Sequence, residues 1–328
     1  MDIREKLKLH FDDEFFNEET RCDYKISSKT KRIWAVELDL LNELIRVCQK
    51  HDIKMCVSCG TLLGAIRHKG MIPWDDDLDV SLTRTEYEKL CAVAPQEFKH
   101  QYFFQNVYTD PQYLFGYSRL RNSLTTGLIL DNNSINYNNG IYIDVFVMDG
   151  YVDDLSLLKK QQRRMDCLRA LGNIYKNNLN PKHPVKAAVK KMLAPILKYT
   201  LFKFLTFDKI VDMYIKNQQR YNHLTDRVGI IDGPLYGVRK NWCMKEDLEK
   251  IIYVPFENIE VPVPANYDDM LRHAYGNYME FPPVEKRGVW HEGVIEFDPD
   301  IPYKEYIRQS NSDNHHYVGS KANTAIVK

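Results

Sequence analysis

A chain of 328 residues, 44% hydrophobic and 27% charged, is long enough for one large domain or two ordinary ones, and its composition excludes a disordered or fibrous protein. Lys plus Arg and Asp plus Glu both number 45, so no overall basic charge argues for a nucleic-acid partner. The N-terminus "MDIREKLKLHFDDEFF" lacks a signal-peptide pattern, no apolar run reaches the ~20 residues that cross a bilayer, and seven scattered cysteines fit a reducing cytoplasm.

After an N-terminal arm (1–30), residues 31–50 place Trp34, Leu38, Leu41, Ile45 and Cys48 at spacings of three and four, which predicts an amphipathic helix. "IKMCVSCGT" is a short apolar strand ending at Gly60-Thr61; its Cys56 and Cys59 have CxxC spacing but no second ligand pair, so they are expected as buried thiols. "LLGAIRH" predicts a helical turn or two, broken by Gly70 and Pro73. Asp77 to Leu82 alternates like a strand, and Thr83 with Glu86 three residues later marks the start of the next helix. "YFFQNVY", "LFGYSRLR" and "TTGLILD" are strand candidates, and an Asn-rich loop at 132–139 leads into "GIYIDVFVMDG", the strongest strand signal in the chain. The segment 31–150 therefore predicts an α+β core with a mixed sheet and flanking helices.

Residues 151–232 turn helical, over 155–180, 184–206 and 208–223. Between Cys167 and Phe207 there is no Asp or Glu, while Lys182, Lys186, Lys190, Lys191, Lys198 and Lys203 recur among apolar residues. Such a basic amphipathic segment suits an anionic membrane surface, or a helix packed on the core with its lysine stems along it. Residues 233–308 are loop-rich and proline-rich, and 309–328 reads as a disordered tail.

The chemistry gathers at "WDDDLDV", residues 74–80. Strand alternation puts Asp75, Asp77 and Asp79 on one face and Asp76, Leu78 and Val80 on the other. Carboxylates crowded on an anchored strand repel, and a divalent cation with a taste for oxygen (Mg²⁺, Mn²⁺ or Ca²⁺) relieves that repulsion. A calcium-binding EF-hand loop fails at its sixth position, where Val80 replaces the required glycine, and Pro73 interrupts the entering helix. A ligand-free acidic turn is the other alternative. The context favours a metal: Gly60-Thr61 sits where backbone amides and a hydroxyl can approach a phosphate, and Asp144 lies in the apolar strand "YIDVF". This ordered set suits Mg²⁺-assisted attack on phosphorus.

"CGTLLGAIRHKGMIPWDDDLDVSL" (59–82), "GIYIDVFVMDG" (140–150), "VPFENIEVPVPANYDDML" (254–271) and "LRHAYGNYMEFPPVEKRGVWHE" (271–292) resemble the LicD family of phosphotransferases, relatives of fukutin and fukutin-related protein. The resemblance spans about residues 38 to 292. It implies a nucleotidyltransferase fold over 31–150, with 233–308 completing the active site, and transfer of phosphocholine from CDP-choline to a cell-surface glycan or teichoic-acid precursor. It also implies Asp77 and Asp79 as paired ligands of Mg²⁺ or Mn²⁺, Asp144 as the third carboxylate and, with Thr61 in place of the more usual serine, a hydroxyl beside Gly60.

Donor-phosphate contacts are expected from Arg67, His68 and Lys69, against a reading as plain surface charges, and from Arg119 and Arg121, against a charged strand edge. Lys286 and Arg287 follow the stiff Pro282-Pro283; Arg287 is read as a phosphate contact or a brace for Asp144, with a structural ion pair as the alternative. Asp75, Trp74 and His291 stand as supporting residues, Asp76 as facing away, and Trp74, Tyr137, Tyr142, Tyr275, Tyr278 and Trp290 as the aromatics available to a choline headgroup. The expectation is thus a cytoplasmic enzyme, peripheral at the inner membrane face, using a CDP-activated alcohol. CDP-ribitol, CDP-glycerol, CDP-ethanolamine, a pyrophosphate-releasing nucleotidyltransferase and a non-catalytic metal-binding relative are its alternatives.

Overall fold

The computed structural model describes residues 3–129, 137–176, 184–288 and 295–312. An N-terminal hairpin, β1 (Glu19–Arg21) and β2 (Tyr24–Ile26), leads into helix α1 (Ser28–Lys50), which Ser27 caps by accepting from the Thr30 amide at 3.1 Å. Next come β3 (Cys56–Val57), α2 (Cys59–Arg67), β4 (Asp79–Thr83), α3 (Arg84–Glu97), β5 (Tyr102–Gln105), β6 (Ser118–Asn122), β7 (Thr126–Ile129) and β8 (Ile141–Gly150). Helices α4 (Leu155–Tyr175), α5 (Pro184–Tyr199) and α6 (Phe207–Gln218) follow. Then come β9 (Arg227–Ile230), α7 (Leu235–Lys240), β10 (Trp242–Met244), β11 (Ile251–Phe256), β12 (Ile259–Pro264), α8 (Tyr267–Tyr275), β13 (Ile295–Asp298) and α9 (Tyr303–Ser312).

Among the described residues, seven strands form the central mixed sheet. Its axis is β8, whose ten residues are nearly all apolar and buried, as expected of a strand covered on both faces. Along one edge β8 pairs with β4 in parallel; along the other it pairs antiparallel with β6 through its first half and with β9 through its second. Helix α1 packs on β6 and β8 and buries Trp34, Leu38, Leu41 and Leu44 completely. The α+β expectation holds. β9 and β10 extend the sheet from beyond the segment marked as catalytic core; both are too short to announce themselves by alternation in sequence. The helix predicted from Thr83 exists, but the reciprocal cap does not form: Glu86 accepts instead from the Lys54 amide at 2.9 Å.

Helices α4 and α6 pack together over a second small core of Leu158, Met165, Leu168, Ile210 and Tyr214. Helix α5 leans on α4 and has an inverted surface. Ala194 and Leu197 are half-buried, while Val189, Met192, Leu193, Ile196 and Tyr199 stand exposed, Met192 by 74%. The stretch continues with Leu201 and Phe204, also exposed. No helix among the described residues is long and apolar enough to cross a membrane. Helix α9 runs to Ser312, into the segment expected as tail; 313–328 lie outside the described residues, as does Lys182.

Candidate active site

Three adjacent strands set the site. Asp79 at the start of β4 pairs in register with Asp144 of β8, and Asp144 pairs in register with Arg119 of β6. Arg119 donates from Nε to Asp144 Oδ1 at 2.7 Å, both side chains being largely buried, and its Nη1 has no hydrogen-bond partner among the described residues. Around Asp79 the backbone is pinned: its amide donates to Thr61 Oγ1 at 2.7 Å, its carbonyl accepts from Ser58 at 2.9 Å, and the Asp144 amide donates to Leu78 O at 2.9 Å.

Residues 75–78 form a loop ahead of β4, so strand alternation does not govern them. This corrects the two-faced reading: Asp76 is buried, and Asp75, Asp76 and Asp77 each bring a carboxylate oxygen within 4.8 Å of the others. Burial, followed by the charge of Asp77, pushes Asp75 and Asp79 well above the usual carboxylate range, with Asp144 adding to the rise at Asp79. A further acid lies beneath. Glu37 of α1 is completely buried, neither of its oxygens has a hydrogen-bond partner among the described residues, and burial plus the charges of Asp76 and Asp77 push its pKa far up. Its sequence signal is its place on the apolar stripe, three residues after Trp34 and four before Leu41.

So many acids converging on one place fit a hard divalent cation with oxygen ligands. Asp75, Asp77 and Asp79 all face one cavity of about 730 Å³, lined also by Gly60, Arg67, Trp74, Tyr275, Tyr278 and Phe281. Gly60 leaves room for Asp75 at the first turn of α2: a Cβ there would stand 2.7 Å from Asp75 Oδ2 and push that carboxylate aside. Gly60 and Thr61 therefore position the acids in this structure, Gly60 by admitting Asp75 and Thr61 by holding Asp79.

The other expected contacts divide. Arg67 lines the cavity and donates to the carbonyls of Tyr278 and Glu280 at 2.9 and 3.1 Å. His68 is no cationic grip: burial first, then Arg67, lowers its pKa to about 4, and its ring stacks on Phe281 at 5.3 Å. Lys69 and Lys286 are exposed and outside the cavity lining. Arg121 is fully buried, donating to Gln105 Oε1 at 2.5 Å and Gly140 O at 2.6 Å, so it cannot clamp a phosphate. The brace on Asp144 is Arg119; Arg287 instead lies 4.8 Å over the Trp74 ring and donates to the Pro282 and Cys22 carbonyls, fastening the N-terminal hairpin to the cavity wall. His291 and Trp290 lie outside the described residues. Cys56 is a buried thiol, as expected, and Cys59 lines the cavity.

Residues 52–195 match the family model described as LicD/FKTN/FKRP, nucleotidyltransferase domain. The chain is 29% identical over 257 residues to the lipopolysaccharide cholinephosphotransferase LicD of Haemophilus influenzae, covering 77% of this chain and 92% of that protein. Uncharacterised proteins of Rickettsia prowazekii and Rickettsia typhi are 39% and 38% identical over 74 residues, 22% of this chain and 26% and 23% of theirs. The matched residues include both carboxylate-bearing strands and the acidic loop between α2 and β4, so the segment that builds the site is similar to the LicD/FKTN/FKRP nucleotidyltransferase domain.

Proposed function

We propose that this protein transfers phosphocholine from CDP-choline to a hydroxyl of a cell-surface glycan or its lipid-linked precursor. The observation that carries the reading is the in-register pair Asp79–Asp144, with the Asp75–Asp77 loop beside it at a cavity large enough for a nucleotide. The Haemophilus relative, aligned over nearly its whole length, is a lipopolysaccharide cholinephosphotransferase, which supports phosphocholine as the transferred group and a glycan as the acceptor.

Asp77 and Asp79 would hold a divalent cation, with Asp144 beside them; when bound, such a cation offsets charge on the phosphate oxygens and aligns the groups that exchange. The chain's own residues do the rest. The acceptor oxygen bonds to the phosphorus bearing choline, the bridging P–O bond breaks, and CMP departs with that electron pair. Asp144, oriented by Arg119, takes the acceptor's proton. Arg67, whose guanidinium is engaged by neutral carbonyls, has its charge available to the departing nucleotide.

The outward face of α5 supports a lipid-borne acceptor. Its exposed apolar residues, flanked in sequence by lysines and by no acid between Cys167 and Phe207, suit the interface of an anionic membrane.

The test is product identity. Purified protein is incubated with Mn²⁺, a glycan acceptor and CDP-choline, CDP-ethanolamine, CDP-ribitol or CDP-glycerol. CMP release with CDP-choline, abolished by EDTA and by Asp77→Ala, is the expected result. Pyrophosphate release from a nucleoside triphosphate, or preference for a donor without a quaternary ammonium, overturns it.

A further inference from the structure

Cys59 and Asp79 line a second cavity as well, of about 620 Å³, whose lining includes neither Trp74 nor Arg67. Its walls come from Phe115 and Tyr117 ahead of and entering β6, Phe146 of β8, residues of α4, and the loop around Asp232. We propose that this chamber seats the trimethylammonium group of the donor, against the rings of Tyr117 and Phe146; the proposal rests on the phosphocholine reading above and deepens it.

A quaternary ammonium donates no hydrogen bond. It is recognised by aromatic faces and by diffuse negative charge. The rings here are contiguous: Phe115 and Tyr117 lie 5.4 Å apart between centroids, and Tyr117 and Phe146 lie 4.9 Å apart. Both Tyr117 and Phe146 are half-buried, and among the described residues no guanidinium or ammonium lies over either ring.

Of the six aromatics singled out from sequence, Tyr275 lines the first cavity and Trp290 lies outside the described residues, and the other four are in a different state. Trp74 carries Arg287 at 4.8 Å, Tyr142 carries Arg119 at 3.8 Å and Arg121 at 4.6 Å, Tyr137 carries Arg121 at 5.9 Å, and Tyr278 carries Arg272 at 6.0 Å. Phe281, which also lines the first cavity, carries Arg67 at 5.2 Å. Their faces already hold a cation, and Tyr137 and Tyr142 are buried besides.

Each cavity has one guanidinium in its lining, and the two are engaged differently. Arg169, the guanidinium of the second chamber, is bonded to the Asp232 carboxylate and lies 3.5 Å from Asp166, so its charge is matched locally. Asp166 and Asp232 set two carboxylates against that one guanidinium, which leaves excess negative charge on the wall. Arg67 in the first cavity is bonded to carbonyls and keeps its positive charge for an anion. A donor with its nucleotide in the first cavity and its headgroup in the second lays its diphosphate across Asp79, where the acids converge.

The test measures binding of CDP-choline, CDP-glycerol and CMP, each with Mg²⁺, to the full-length wild-type protein and to Tyr117→Leu and Phe146→Leu. Wild type is expected to favour CDP-choline over CDP-glycerol by about ten-fold, each substitution to erase most of that preference, and CMP affinity to stay unchanged, which also certifies folding. Tetramethylammonium is expected to compete with CDP-choline on wild type and not with CMP. If wild type prefers CDP-choline and both variants keep that preference, the donor reading stands and the chamber assignment falls. If wild type binds both donors equally, the phosphocholine reading fails and takes the assignment with it.

Discussion

Asp79 and Asp144 stand side by side as in-register partners on parallel strands β4 and β8, with Arg119 of β6 next in register beyond Asp144. Two buried carboxylates so close repel one another, and the fold sets a guanidinium, Arg119, against Asp144 while Asp79 has the weak thiol donor of Cys59. Asp79→Asn is therefore expected to raise the melting temperature of the metal-free protein while lowering kcat roughly a thousand-fold, about 4 kcal/mol. Thermal melts in EDTA and initial rates of CMP release check the two halves. A variant both less stable and fully active would sink the assignment.

The Arg119–Asp144 pair is a buried ion pair, and breaking one side strands the other. Arg119→Met is expected to lose about 3–5 kcal/mol in urea unfolding, and Arg119→Met with Asp144→Leu to recover most of it without recovering activity. Recovery of activity in the double variant would show that Asp144 has no part in the chemistry.

Stability should run against the usual pH trend in the metal-free protein. Asp75, Asp79 and Glu37 have native pKa values above their ordinary 3.8, 3.8 and 4.5, so the native state binds more protons than the unfolded one. Their contribution is fully present below those ordinary values and is lost as pH rises toward the native ones, at up to about 1.4 kcal/mol per pH unit for each group. Glu97, held down to about 2 by Lys50 and His51, works the other way, but its effect is complete above its ordinary 4.5. Melting temperature in EDTA is thus expected to fall from pH 5 to pH 8, to fall less in Glu37→Gln, and to be restored by Mn²⁺. A rise over that range, or indifference to Mn²⁺, would refute the account.

Much of this site was legible in the residues. The strand cores of β4 and β8 and the helix α1 announce themselves because burial of one face or both leaves a period in the sequence. What alternation cannot convey is where a strand begins: β4 starts at Asp79, not Asp77, so Asp76 turns inward and joins the acids. Nor does composition tell an arginine that grips a ligand from one that braces a neighbour. Arg119 and Arg121 share a strand face, yet one holds Asp144 and the other is sealed among Gln105, Gly140 and Tyr142, because β6 lies inside the sheet between β5 and β8. The Tyr117–Phe146 contact joins two strands, and only the register of β6 on β8 brings it about.

Helix α5 gives the last test. Packing through Ala194 and Leu197 leaves Met192, Ile196 and Tyr199 in water, an arrangement that costs free energy unless another apolar phase covers them. Lysine is the only charged residue type on α5 and in the stretch after it to Phe204, with Lys198 and Lys203 exposed, so an anionic lipid surface satisfies both the charge and the apolar face. The protein is expected to sediment with vesicles containing phosphatidylglycerol and not with pure phosphatidylcholine, with binding weakened at high salt. Ile196→Glu removes one of the larger inserted side chains, worth about 1.5–3 kcal/mol if fully buried, and should cut partitioning at least about ten-fold while leaving CMP release from CDP-choline with a soluble acceptor unchanged. Equal binding of wild type and Ile196→Glu to both kinds of vesicle, or a concentration-dependent dimer in gel filtration that the substitution abolishes, would assign the face to something other than lipid.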